Sequence, residues 1–352
     1  MNRSALVAVL ALPALGAVLA ALLPDRAARL AGTVLAALAF VASVLLGLAA
    51  HTGGWFSYQP APSGAPPIVP WTSVDVSWVP GLDLRLHFGV DGVSYPLVVL
   101  TTLLTLLCCV YTIWHVPSGG GRGGTLVALL LVVEVGMLGT FLALDLVLFF
   151  VFFEVVLLPM YAIIAGWGGE ERRHAARKFA LYTLFGSVLL LVGVFTVVAA
   201  AGTADLVTLT SGAATLSRTT QLAAFTLFAI AFAVKSPLWP LHTWLPDAHT
   251  QAPTVGSVLL AGVLLKMGTY GLIRVAIGVA PEGARWAAPL LGVLAVAAIL
   301  VGCLVCLAQT ELKRLIAYSS VGHMGFVLLG VATLTATGIQ AALIGKIGRA
   351  HV

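Results

Sequence analysis

The sequence predicts an all-α polytopic membrane protein, and three observations support this class. Hydrophobic residues make up 60% of the 352 residues, charged residues only 9%, and the mean hydropathy is +1.07. A water-soluble domain needs more charge than this to cover its surface. Apolar runs long enough to cross a bilayer recur along the chain, and they predict about ten complete transmembrane helices plus the start of an eleventh. Two lysines, Lys235 and Lys266, lie within such runs.

The first 124 residues contain three predicted spans separated by one long excursion. The alanine-rich first run is also typical of a cleaved signal peptide, but a second span follows after only a short turn, which favours retention. Residues 51–92 are rich in proline, glycine, tryptophan and tyrosine, which indicates an interfacial excursion with aromatic anchoring rather than a domain. The predicted spans are Ala5–Leu23, Leu30–Ala50 and Val93–Trp114.

The next three predicted spans carry two buried carboxylates. Glu134 lies in the fourth span, and Glu154 lies near the centre of the fifth. Acidic residues inside the membrane are rare and usually mark ion pathways. For Glu134 the alternative is a carboxylate bonded to a neighbouring serine or to water. The spans are Thr125–Leu144, Leu146–Ala165 and Phe179–Ala200.

The seventh span is predicted to break beside a charge. Lys235 follows an apolar run and lies roughly 20 Å along the helix, too deep for simple anchoring at the near surface. Pro237 and Pro240 come next, and each lacks an N–H group. Helical hydrogen bonds to the carbonyls of Ala233 and Ser236 should therefore be lost. Broken backbone at membrane depth is typical of ion-transporting folds.

A second lysine, Lys266, lies near the middle of the eighth span. Placing a lysine at the bilayer centre costs about 2.5 to 3.5 kcal/mol on insertion scales. Two such residues predict charged partners and a function in transport. The alternative is that both lysines snorkel to an interface.

The segment from Ala233 to Lys266, AVKSPLWPLHTWLPDAHTQAPTVGSVLLAGVLLK, closely resembles the discontinuous seventh and eighth helices of the antiporter-like subunits of respiratory complex I, in particular the M type. The string LALDLVLFFVFFEVVLLPMYAIIAGWG is similar to the family's fifth helix and its membrane glutamate. The resemblance covers about residues 126–345. It implies the first half of an inverted-repeat antiporter-like fold, with an N-terminal region 1–124, a first repeat 125–282 (helices 4–8) and the start of a second repeat 283–346.

The resemblance implies a proton-translocating subunit of NADH:quinone oxidoreductase. Glu154 and Lys235 would form a pair whose protonation depends on their separation, and Lys266 would be the central proton acceptor. Histidine titrates near neutral pH, so three histidines are candidate relays, although a structural role is an open alternative for each. These are His242, His249 and His323, and Glu134 is a weaker candidate for proton transfer.

No motif in the sequence binds a redox cofactor or a metal. All four cysteines lie in apolar runs, where free cysteine behaves as a small hydrophobic residue, and no haem-attachment motif is present. We therefore expect no cofactor in this chain. NADH, FMN, iron–sulfur clusters and quinone are expected in partner subunits, and the neighbours are expected to include L-type and N-type antiporter-like chains. Nucleic acid is not an expected partner.

Three other functions are alternatives. The nearest is a subunit of a related cation/proton antiporter or membrane-bound hydrogenase complex, which gene neighbours would distinguish. A secondary transporter of a small solute would need varied polar groups at the midplane, whereas this chain offers mainly titratable ones. A non-pumping scaffold is disfavoured by the cost of inserting the buried charges.

Charge distribution predicts the orientation in a bacterial plasma membrane. Loops after odd-numbered spans hold nine Lys and Arg residues, and the other side of the membrane holds five. Arg274 is counted among those five. The positive-inside rule then places the N-terminus outside. Residues 347–352 have the sequence of a translated adapter oligonucleotide, so we interpret them as a non-native tail on a truncated chain.

Overall fold

The computed structural model describes residues 2–48, 68–79, 84–117, 121–212 and 214–348. Half of the predicted excursion, residues 51–67 and 80–83, and residues 349–352 of the predicted tail lie outside these ranges. The N-terminal half contains helices α1 (Asn2–Leu22), α2 (Asp25–Leu48), α3 (Tyr95–Trp114), α4 (Gly123–Leu142), α5 (Leu146–Val155) and α6 (Leu157–Trp167). The predicted fifth span is thus two helices in line, because the ring of Pro159 clashes with the carbonyl of Val155.

The remaining helices include the predicted discontinuous pair. They are α7 (Arg172–Ala201), the short α8 (Leu206–Thr210), α9 (Arg218–Lys235), α10 (Trp244–Gln251), α11 (Thr254–Leu259), α12 (Leu265–Gly271), α13 (Pro281–Leu307), α14 (Leu312–Ala332) and α15 (Ala336–Gly348). Two π-helical segments, Leu260–Leu264 and Leu272–Ile277, lie on either side of α12. The eighth span, which was predicted to be discontinuous, is instead a continuous helix with two widened turns, whereas the seventh is unwound between α9 and α10 as predicted.

The all-α membrane fold is confirmed. Within the described ranges, nine helices are long and apolar enough to cross a membrane. The broken α9–α10 segment makes a tenth span, and α15 is the start of an eleventh. The most enclosed spans are α4 and Thr254–Ile277, in which 78% and 89% of the apolar window is buried, so these two form the centre of the bundle.

The second half of the excursion forms a β-hairpin, which the sequence analysis did not predict. Strand β1 (Thr72–Val79) pairs antiparallel with β2 (Leu84–Val90), in a register that places Asp75 opposite His87. Alternation of polar and apolar residues in both strands explains the pairing. The hairpin is attached to the bundle where Phe88 bridges to Ala143, and where the N–H of Leu144 donates to the carbonyl of His87 at 2.8 Å.

The helix ends define two faces of the bundle. We call the side with β1 and β2 the hairpin face; it also holds the C-terminal ends of α4 and α7, joined by a bridge between Asp145 and Asp205. The other side, the α10 face, holds the N-terminal ends of α7 and α14. There Asp247 of α10 forms ion pairs with Lys178 and Arg314.

Candidate functional site

The helix break next to Lys235 is present, and its backbone groups are hydrogen-bonded. Helix α9 ends at Lys235, and turns lead to Trp244, where α10 begins. The helical bond to the carbonyl of Ala233 is lost as predicted, because Pro237 has no N–H, but the N–H of Leu238, five residues on, donates to that carbonyl at 2.9 Å. The carbonyl of Val234 accepts a 2.9 Å bond from the indole Nε1 of Trp244. These two contacts satisfy the carbonyls of Ala233 and Val234 at the end of α9.

The ammonium group of Lys235 is buried among aromatic rings. The residue is 3% exposed, and its Nζ lies 4.7 Å from the centre of the Phe153 ring. Phe232 packs edge-on against Phe153, with ring centres 5.9 Å apart, and against Phe149 at 6.1 Å. An aromatic face attracts a cation more strongly where water is excluded. The cluster therefore offsets part of the cost of burying this charge.

Glu154 is the acidic residue that acts on Lys235. It follows Phe153 on α5, and its carboxylate interacts electrostatically with the Lys235 ammonium. No direct ion pair joins the two side chains. Glu154 is half-buried rather than fully buried as predicted, and its pairing with Lys235 for proton transfer stays a prediction.

Lys266 lies on the segment that packs against the break. It is 3% exposed, and its Nζ has no hydrogen-bond partner among the described residues. The hydroxyl of Ser236 donates to the carbonyl of Leu265 at 3.3 Å, which joins the lysine-bearing parts of the seventh and eighth spans. The first π-helical segment ends just before Leu265. Such widened turns are frequent at functional sites.

The close approach of the two spans requires a glycine at position 268. A Cβ atom there would lie 2.2 Å from Oγ of Ser236 and 2.8 Å from the carbonyl oxygen of Phe232. The Ser236 hydroxyl can rotate away, but the backbone carbonyl of Phe232 cannot, so a Cβ atom at this position would require movement of α9 or α12. Gly268 therefore sets how near Lys266 lies to the break.

Two of the three candidate histidines lie on the broken segment. His242 and His249 are 8% and 7% exposed, and Nδ1 of each has no hydrogen-bond partner among the described residues. The His242 ring packs edge-on against Tyr318 of α14, with ring centres 6.2 Å apart. His323 instead lies on α14, where its Nε2 is 2.9 Å from the carbonyl oxygen of Gly345 in α15. The relay roles stay predictions.

Glu134 is fully buried on α4, and neither carboxylate oxygen has a hydrogen-bond partner in the described part of the chain. The alternative of a serine partner is therefore wrong. An isolated buried carboxyl group without a protein partner is expensive, so its retention is consistent with a function.

A buried ion pair between Arg274 and Asp91 was missed by the sequence analysis. Arg274 was counted among residues exposed on one side, but it lies in the second π-helical segment and is only 6% exposed. Its guanidinium is paired with Asp91, whose other oxygen accepts the N–H groups of Val93 and Ser94. The signal available in the sequence was the four-residue spacing of Lys266, Tyr270 and Arg274, which places them along one helix side.

A second polar cluster lies outside the membrane spans, at the hairpin face. Nδ1 of His87 is 2.9 Å from Oδ1 of Asp205, and Oδ2 of Asp205 accepts from the N–H and hydroxyl of Thr208. Burial raises the pKa of Asp205, but the hydrogen bonds from His87 and Thr208 outweigh burial and hold that pKa below its ordinary value. The ionised carboxylate therefore links β2 to the start of α8.

These features define the class of the protein: a multi-helix membrane protein with buried titratable groups beside a broken helix, an arrangement that is typical of ion-transporting folds. The family model described as "NADH:quinone oxidoreductase/Mrp antiporter, TM" matches residues 143–350, more than half of the chain. The chain belongs to this family.

Relatives by sequence agree with the family. The chain is 47% identical over 280 residues to NADH-quinone oxidoreductase subunit M of Rhodobacter capsulatus, a match that covers 76% of this chain and 54% of the relative. It is 42% identical to an NAD(P)H-quinone oxidoreductase chain 4 of Synechococcus, covering 87% of this chain and 56% of that one. The chain thus spans about half the length of these relatives.

Solved structures show the same fold. A chain of respiratory complex I from Thermus thermophilus superposes with a TM-score of 0.82 at 32% identity, over 98% of this chain and 69% of that one. A chain of the Mrp complex from Dietzia gives a TM-score of 0.79 at 25% identity, over 99% of this chain and 36% of that one.

Proposed function

We propose that this chain is a proton-translocating membrane subunit of an NADH:quinone oxidoreductase. One observation carries the proposal: Lys235 is buried where its helix breaks, with the Glu154 carboxylate acting on it and Lys266 on the adjoining segment. The names of the relatives by sequence support the assignment to this enzyme.

Proton movement in this proposal follows from the electrostatics of the pair. Burial disfavours the charged forms of both lysine and glutamate, and a nearby opposite charge favours them. A movement that separates Glu154 from Lys235 therefore makes the proton on the lysine easier to release. Lys266 receives it on the adjoining span, with His242 and His249 as relays on the broken segment. His323, on α14, is a third candidate relay, and Glu134 is a weaker candidate for proton transfer.

The proposal places redox chemistry in partner subunits. NADH, FMN, iron–sulfur clusters and quinone would be bound there, and L-type and N-type antiporter-like chains would be neighbours in the membrane. The complex would lie in a bacterial plasma membrane, with the hairpin face and the N-terminus outside. The clustering of basic residues on the α10 face supports this orientation, because positively charged loops stay in the cytoplasm.

The second candidate is a subunit of a cation/proton antiporter complex, which the similarity to the Mrp complex favours. The two functions differ in their energy source. An oxidoreductase subunit depends on NADH oxidation, whereas an antiporter subunit exchanges cations without NADH. Genes for L-type and N-type chains beside this gene would support the first.

The test uses the gene in its full genomic length, expressed in its own complex in membrane vesicles. NADH-driven proton uptake is measured in cells that lack the gene and are complemented with the wild type or with Lys266→Ala. Arg285→Gln is the matched control, because Arg285 is a highly exposed cation outside the core. We expect the wild type and the control to restore proton uptake and Lys266→Ala to fail. Full restoration by Lys266→Ala would contradict the proposal.

A further inference from the structure

Charged side chains of two other helices form ion pairs with helix α10. Oδ2 of Asp247 accepts a 2.6 Å bond from Nζ of Lys178 on α7, and Oδ1 lies 3.3 Å from Nη2 of Arg314 on α14. We call these three residues the Asp247 triad. One carboxylate is thus shared by two cations whose helices are far apart in the sequence.

The far end of α10 is held by α14 as well. Nζ of Lys313 lies 3.3 Å from the carbonyl oxygen of Thr250 and 3.5 Å from that of Ala252. The last carbonyls of a helix have no partner within the helix and attract cations. Adjacent residues at the start of α14 therefore contact α10 at both of its ends.

The first residue of α10, Trp244, connects this helix to the helix break at Lys235. Trp244, three residues before Asp247 and so one helical turn away, donates its indole N–H to the carbonyl of Val234. Trp244 is 1% exposed and packs against Phe179 of α7, with ring centres 5.4 Å apart. A shift of α10 must therefore move the last turn of α9, which ends at Lys235.

We propose that Asp247 is a positioning residue for Lys235, which transmits movement of α14 through α10 and Trp244 to the helix break. The inference rests on the proposed function, in which Lys235 transfers protons. The two cations contact different oxygens of one partly exposed carboxylate, so displacement of α14 relative to α7 changes the force on α10.

The experiment compares variants in the complete complex, reconstituted in liposomes. We expect Asp247→Asn to lower the protons moved per NADH oxidised about two- to tenfold, as for residues that carry coupling between sites. Electron transfer to an artificial acceptor stays normal. Asp247→Glu restores most of the ratio, because it restores the charge. Arg177→Gln is the matched control: Arg177 is exposed, lies one residue from Lys178, and donates from Nε to the carbonyl of Arg173.

A double-mutant cycle tests the path through α14. If Arg314 acts through Asp247, the double variant Asp247→Asn/Arg314→Gln loses no more of the ratio than Asp247→Asn alone. A merely structural role would lower the amount of assembled complex and leave the ratio per complex unchanged, and that outcome would overturn the inference. An equal loss in Asp247→Glu and Asp247→Asn would also overturn it.

Lys235→Ala, measured in parallel, distinguishes a failure of the positioning role of Asp247 from a failure of the proposed function. Loss of pumping in Lys235→Ala together with a normal ratio in Asp247→Asn refutes the positioning role alone. Normal pumping in Lys235→Ala refutes the proposed function, and the positioning role with it.

Discussion

The ammonium of Lys235 lies 4.7 Å from the centre of the Phe153 ring, and Phe153 is the residue immediately before Glu154. A ring can stabilise a cation but cannot take up its proton. On this stretch of α5 the group that can change the charge state of Lys235 is therefore Glu154. Phe153 can stabilise the cation, and Glu154 can exchange its proton. Substitutions can test these two roles one at a time.

Replacing Glu154 by Gln should abolish most proton pumping, because it removes the titratable partner while keeping the side-chain shape. Phe153→Leu is the matched control, since it removes only the ring. We expect Phe153→Leu to keep measurable pumping. Proton uptake per NADH oxidised in proteoliposomes distinguishes the two variants, and a larger loss in Phe153→Leu than in Glu154→Gln would reverse these assignments.

Gly268→Ala should force the eighth span away from the break. The added Cβ would lie 2.2 Å from Ser236 Oγ, and overpacking of this kind costs about 1 to 3 kcal/mol. Both the melting temperature of the purified complex and its pumping should fall. Gly292→Ala is the control, because nothing lies within 4 Å of a Cβ at that helical position. An equal response of the two variants would show that the close approach at Gly268 is unimportant.

Asp91→Asn should destabilise the protein by about 3 to 5 kcal/mol, because it leaves the Arg274 charge buried without its partner. The asparagine oxygen can still accept the N–H groups of Val93 and Ser94, so the start of α3 is preserved. Adding Arg274→Met should recover much of the loss by removing the unpaired charge. The amount and melting temperature of the assembled complex measure both effects. A single variant as stable as the wild type would rule out a stabilising pair.

The Asp205 cluster should make the hairpin face sensitive to acid. Because the pKa of Asp205 is lowered in the folded protein, the ionised carboxylate contributes stability that is fully present above its unfolded pKa, about 4. That contribution is lost as the pH falls through the lower folded value. The difference in melting temperature between wild type and Asp205→Asn should therefore be largest above pH 4 and shrink below it. A difference that grows on acidification would contradict this assignment.

Composition and the spacing of apolar runs were sufficient to predict the helical membrane fold, since bilayer thickness fixes the length of each span. The β1–β2 hairpin was missed because it follows a proline-rich segment whose composition indicated irregular structure. The π-helical form of the eighth span was also beyond prediction. A π-helical turn differs from an α-helical turn only in a hydrogen bond that is one residue longer, and this leaves no periodic signal in the sequence.

The site was predicted in part. Lys235, Lys266, Glu134 and Glu154 were found because each is a charged residue within an apolar run, where insertion is costly. The Asp247 triad was not predicted, because its members lie in polar segments and the pairing of Asp247 with Arg314 depends on tertiary structure. Arg274 was misplaced because its partner is 183 positions away.

The most direct test of the central claim, that protons pass through Lys235, is the proton yield of the intact complex with Lys235→Ala. Wild-type and variant complexes are reconstituted in liposomes, and proton uptake and NADH oxidation are recorded together, with an artificial acceptor assay on the same samples. The account predicts that most proton uptake is lost in the variant while electron transfer to the artificial acceptor stays at the wild-type rate. An unchanged number of protons per NADH in a fully assembled variant would contradict it.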